Sequence, residues 1–200
     1  MNWITPPLIV APVAHATQRL RLLLNVMMFS VLLFGSVTAL ANTALPLNFH
    51  QVSPEIYRSA QPDVAQMKAV EQQGIKTVLN LRQWNDDDSE AKGTHLVLRR
   101  VPINAAVIND DKVVSALREV RFAQKPLLVH CWHGSDRTGL VVAMYRLVFE
   151  QASKAEVLAE LRQPQFGYHE SYYPNIARYI SSVNVDQIRQ RVLADNPRQS

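Results

Sequence analysis

The chain has a single cysteine, Cys131, so it cannot close a disulfide within itself. A lone thiol is either an inert packing residue or a reactive one. Acidic residues are missing from the first 41 positions altogether. There is no long Lys/Arg block, and the net charge is only +4, so nucleic acid is not an expected partner. No internal repeat or low-complexity tract interrupts the sequence, which argues against solenoids and disordered linkers. With 48% hydrophobic and 19% charged residues in 200, what is present suits one packed domain and a short extra segment.

That extra segment is N-terminal. Arg19 and Arg21 precede the apolar run of residues 22–40, and Ala39-Leu40-Ala41 offers an A-x-A cleavage site. A basic flank, an apolar run and small residues at its end form the pattern of a secretory signal over residues 1–41. An uncleaved anchor is the alternative, because a run of about 19 apolar residues nearly spans a bilayer. Either way the basic flank orients residues 42–200 outside the cytoplasm, which in a Gram-negative cell means the periplasm. No other membrane association is expected. An oxidising compartment favours disulfides, which makes a solitary Cys131 more conspicuous.

Within 42–200 the periodicity alternates. Residues 45–62 look extended, with turns at Pro54 and Pro62. Helical spacing of Val64, Met67 and Val70 is followed by Gly74 as a stop, and "IKTVLNL" (75–81) reads as a buried strand. "HLVLRRVPI" (95–103) and "KPLLVHC" (125–131) are two more strands, separated by an amphipathic helix over 110–123. A largely apolar helix follows Thr138, Ser153-x-x-Glu156 marks a capping box, and two further helices complete the chain. Strands alternating with helices predict an α/β domain with a mainly parallel sheet of four to five strands, flanked by helices. Ligands of such sheets bind at the carboxyl edge, which gathers Cys131 and the loops 82–94 and 103–110 around one point.

After Cys131 comes Trp132-His133-Gly134-Ser135-Asp136, then Arg137, Thr138 and a helix. Strand, tight loop and helix start together make an anion cradle of inward amides and a helix dipole. The planar fork of Arg137 matches two oxyanions at once, and the same field favours a nucleophilic thiolate at Cys131. Gly134 permits a positive φ, and Thr138 can reach the sulfur or cap the helix. The bland alternative is a buried structural cysteine beside a salt-bridged arginine.

His-Cys-x5-Arg-Thr resembles the signature of the cysteine-dependent protein tyrosine and dual-specificity phosphatases. "IYRSAQP", "GIKTVLNLR" and "HCWHGSDRTGLVVAMYRLV" together resemble its small, exported bacterial branch. The resemblance implies a tyrosine-phosphatase-like fold and a phosphomonoester hydrolase. Cys131 would form a phosphocysteine, Arg137 would bind the phosphoryl oxygens, and Thr138 would help the sulfur leave. It implies phosphate contacts from Trp132, His133, Gly134, Ser135 and Asp136, and supporting roles for His130 and Arg58. No cofactor or metal is expected. Partners are phosphorylated proteins, on tyrosine or on serine and threonine, or small phosphomonoesters. Inositol phosphates, lipid phosphates and nucleotides are alternative substrates, and a weakly catalytic phosphate-binding module is the alternative function.

The chain departs from the family in one respect. Relatives place an acidic proton donor where Ala105 or Ala106 stands here. Asp110 is the preferred donor and Asp111 the alternative, although acids beside Asn109 also suit a helix start. Asp136 is expected to turn away from a bound dianion. "NDDDSE" (85–90) lacks the pattern of a calcium loop and reads as a solvated loop. Tyr168, His169, Tyr172 and Tyr173 form an aromatic loop before the last helices, facing either substrate or core.

Overall fold

In a computed structural model of the chain, residues 44–194 are described, together with Met1. Apart from Met1, the export signal expected over residues 1–41 lies outside the described residues.

Four parallel strands and one antiparallel strand form a single sheet in the order β1-β2-β5-β3-β4. They are β1 (His50–Ser53), β2 (Ile56–Ser59), β3 (Thr77–Asn80), β4 (Val97–Arg100) and β5 (Leu127–His130). The helices are α1 (Val64–Gln72), α2 (Asp110–Phe122), α3 (Asp136–Phe149), α4 (Lys154–Leu161), α5 (Pro174–Ser182) and α6 (Val185–Leu193). A 3-10 turn spans Pro164–Phe166.

The central strands β3 and β5 are buried at every position, the signature of parallel strands covered on both faces. Alternation then sorts their side chains. Leu128 and Val78 join Met67 and Val70 of α1 on one face. Leu79, Leu127 and Val129 join Val113, Leu117, Leu140 and Met144 of α2 and α3 on the other. α3 is buried over most of its length, packed among α2, α4, α5 and α6. Burying a Leu or Met side chain stabilises by about 1.5–3 kcal/mol, so α3 anchors this face.

The pairing register fixes the site. Ser59 lies opposite His130 across β2–β5, and Asn80 lies opposite His130 across β3–β5. The chain therefore leaves all three strands at one level of the carboxyl edge, with Cys131 in the middle.

The helices fall within a few residues of the sequence expectation, and the Ser153–Glu156 capping box is present. The segment read as extended chain and turns instead forms the β1–β2 antiparallel hairpin. Among the described residues, no helix is long and apolar enough to cross a membrane.

Candidate active site

Cys131 follows β5 and is only 2% exposed. The loop after it is shaped by what its carbonyls do. The carbonyl of Trp132 accepts from the Gln61 amide at 3.1 Å. That of His133 accepts from Asn48 Nδ2 at 3.2 Å, and that of Gly134 from Arg58 Nη2 at 2.8 Å. Three successive carbonyls are thus taken up from outside. In a planar trans peptide the N–H points opposite to its carbonyl, so the amides of 133, 134 and 135 turn the other way, as an anion nest. α3 begins at Asp136 and adds its positive dipole end to this side. Gly134 has φ +73°, and a Cβ there would stand 2.5 Å from the Ser59 carbonyl carbon and 2.6 Å from Ala60 N. Only glycine fits both the left-handed backbone and the close approach to β2.

Arg137 and Thr138 follow at the start of α3. Arg137 Nε and Thr138 Oγ1 are buried without a hydrogen-bond partner in the protein. Both are donors of the kind that a tetrahedral oxyanion satisfies. Thr138 is not the helix cap, since Ser135 occupies the N-cap position.

Arg58 is buried, not part of a surface ion pair. Besides holding Gly134, its guanidinium lies 4.2 Å over the Phe166 ring. Burial pushes it down to about 10, against the opposing pull of the neighbouring Cys131. It remains a cation at neutral pH and contributes positive potential beneath the loop.

His130 supports the site from the other face. Its Nε2 is 2.8 Å from Asp87 Oδ2 and its Nδ1 is 3.2 Å from the Cys131 carbonyl. Both ring nitrogens face oxygen atoms, which fixes the orientation of the ring. Asp87 also accepts from Gln61 Nε2 at 3.0 Å and Asn80 Nδ2 at 2.9 Å. Burial would raise its carboxyl, but the bonds from His130 and Gln61 and the charge of Arg82 hold it below its ordinary value. Arg82 in turn donates to Gln61 Oε1 at 2.7 Å and lies 4.5 Å over the Trp132 ring.

This network corrects the reading of residues 85–90 as wholly solvated, because Asp87 is buried within it. Sequence reasoning missed the roles of Asp87, Asn48, Asn80, Arg82 and Phe166. Nothing in the acidic run distinguished Asp87 from Asp86 or Asp88, and tertiary contact alone selects it.

Trp132 and His133 are exposed at the outer side of the loop, with Trp132 forming a rim beside Arg82. Asp136 turns away from the nest: its Oδ1 accepts from the His169 amide at 2.9 Å, and its Oδ2 is 3.0 Å from His169 Nδ1. The aromatic loop divides in the same way. Tyr168 donates to the Tyr173 carbonyl and packs on the core, while Tyr172 is exposed.

Asp110 and Asp111, the expected proton donors, find their partners away from the Cys131 loop. Asp110 Oδ1 accepts from the Tyr179 hydroxyl at 2.8 Å, and Asp111 Oδ1 accepts from Arg191 at 2.5 Å. Burial and this bond to a carboxylate push the Tyr179 hydroxyl well up from its ordinary value. Both acids thus tie the start of α2 to α5 and α6, and none of their hydrogen bonds or ion pairs is with residues 130–138. Ala105 is buried on the β4–α2 loop, its carbonyl accepting from Asn175 Nδ2 at 2.8 Å. Between Ile103 and Asn109 that loop carries no carboxylate.

A sequence profile of the tyrosine phosphatase family matches residues 43–196. The dual specificity protein phosphatase TpbA of Pseudomonas aeruginosa is 34% identical over 185 residues, covering 85% of this chain and 83% of that protein. A crystal structure of TpbA in complex with pTyr superposes with a TM-score of 0.68 at 30% identity, over 74% of this chain and 92% of the other. The inositol diphosphatase DSP1 of Oryza sativa is 33% identical over 110 residues, half of each chain.

Proposed function

The chain belongs to the tyrosine phosphatase family and is a cysteine-dependent phosphatase of the tyrosine or dual-specificity type; from that premise we propose how it works and on what. The substrate phosphoryl group occupies the nest of 132–137, held by the loop amides and the Arg137 fork. Cys131 Sγ attacks phosphorus as the ester bond to the leaving oxygen breaks, giving a phosphocysteine. Water then attacks phosphorus and the thiolate leaves, assisted by the Thr138 hydroxyl. His130 and Arg58 position the loop, and Arg58 supplies positive charge around the sulfur. The observation that carries this reading is the outward commitment of the Trp132, His133 and Gly134 carbonyls, which builds an anion site directly after Cys131.

The substrate we infer is a phosphorylated protein, with aryl esters favoured. The β4–α2 loop offers no free carboxylate, so leaving groups that depart without a proton are turned over best. A phenol, with an ordinary pKa of about 10, leaves more readily than an aliphatic alcohol. Phosphotyrosine is therefore preferred to phosphoserine, in keeping with the pTyr complex of TpbA. An inositol phosphate substrate is the second reading, favoured by the likeness to DSP1. The Arg19–Ala41 pattern supports export, to the periplasm if the source is Gram-negative.

The test is turnover of an aryl phosphate by wild type and Cys131→Ser, with acid quenching to trap the phosphocysteine for mass spectrometry. Wild-type turnover should be vanadate-sensitive, and the serine variant should fall by on the order of 10⁴-fold. No turnover above the variant would leave only phosphate binding. Comparing kcat/KM for a phosphotyrosine peptide and an inositol diphosphate decides between the two substrate readings. Asp110→Asn should change kcat by less than about threefold, whereas loss of a general acid costs about 100-fold or more.

A further inference from the structure

Asp136 and His169 form a pair that the phosphatase chemistry does not use, and His133 lies beside it. Asp136 opens α3 and is 6% exposed, an unusual burial for a carboxylate with no cationic arginine or lysine bonded to it. The His133 and His169 rings are 5.4 Å apart and tilted by 59°. One donor atom from each of His133, Asp136 and His169 lies within 4.8 Å of the other two.

We propose that these three side chains form a binding site for a divalent transition-metal ion of the zinc class, on the outer side of the phosphate loop. Two imidazoles and one carboxylate, with a fourth position open to solvent, are a zinc donor set. Tetrahedral coordination at about 2.1 Å places donor atoms about 3.4 Å apart. The Asp136–His169 pair is already close to that separation at 3.0 Å, and His133, exposed at the surface, completes the triad by a side-chain rotation. The carboxylate is presented by a rigid helix start, and its own Oδ1 bond to the His169 amide orients it as a supporting bond orients a metal ligand. Soft sulfur is not needed. Cys131 belongs to the other side of the loop, where the amides turn inward.

Occupancy would join residues 133–136, which border Arg137, to the loop that precedes α5.

Binding is measured by titrating Zn²⁺ into untagged, EDTA-treated protein by calorimetry, with Co²⁺ as an optical probe. Wild type and Cys131→Ser should each bind one equivalent. His133→Ala and His169→Ala should each weaken it by about 10-fold or more. Both histidine side chains are accessible, so circular dichroism should show both variants folded. The Co²⁺ complex should show visible d–d bands without intense near-UV sulfur charge transfer. Absence of saturable binding overturns the proposal. So does binding that survives in both histidine variants, or that disappears in Cys131→Ser together with a sulfur–cobalt band.

Discussion

Asp87 shows how one buried side chain can set the conditions under which the domain is stable. Its carboxyl titrates below its ordinary value in the folded protein because His130, Gln61 and Arg82 favour the charged form over burial. In the unfolded chain it returns to about 3.9. The stabilisation is complete above that value and is lost as pH falls through the lower, folded one. Asp87→Asn removes the charge while keeping the shape, leaving His130 without its ionic partner. The variant should be less stable than wild type by about 3 kcal/mol at pH 7, and the gap should narrow once the pH drops below about 4. Urea unfolding at pH 7 and pH 3 measures both halves. An equal gap at the two values would mean that the carboxylate is not the stabilising species. At this scale the sequence was partly legible. Cys131, Arg137, Thr138 and Gly134 stand at spacings that declare an anion loop, whereas Asp87 is one of three adjacent aspartates and is singled out only by β3 and β5 meeting beside it.

Among elements, the strands divide by how they are buried. β3 and β5 are covered on both faces, so their sequences are apolar runs that can be read directly. β2 is also buried, yet it carries Arg58 and Ser59 at its end, because that end serves the phosphate loop. A functional demand thus overrides the pattern by which strands are recognised, and the hairpin escapes notice. The same strand constrains the loop sterically, since Gly134 rests against the backbone of Ser59 and Ala60. In Gly134→Ala neither the strained φ nor the clash with backbone can be relieved by moving a side chain. The loop must shift, and a displacement of about 1 Å costs on the order of 100-fold in rate. kcat/KM for an aryl phosphate should fall by that factor, and vanadate inhibition should weaken in parallel. Wild-type vanadate sensitivity in the variant would mean that the loop tolerates the extra carbon.

For the whole molecule, the α/β order and the carboxyl-edge placement of three loops were legible because they follow from topology. The surroundings of the expected proton donors were not. Asp110 and Asp111 have the right sequence neighbourhood, but α5 and α6 pack onto the α2 start and supply Tyr179 and Arg191 as competing partners. Helix packing of this kind leaves no periodic trace near residue 110. Export belongs to this scale too. If the A-x-A site is used, mass spectrometry of protein recovered from the periplasm will find a mature chain beginning at Asn42. A membrane-bound species retaining Arg19 and Arg21 would instead establish the anchor.

Trp132, 53% exposed, stands beside the nucleophile with the Arg82 cation over its indole. The enzyme therefore carries its own optical reporter. An anion drawn into the cradle should change the field at that ring, so in a Cys131→Ser variant with Trp3 and Trp84 replaced by Phe the remaining emission should weigh one phosphate ester against another without any of them being consumed.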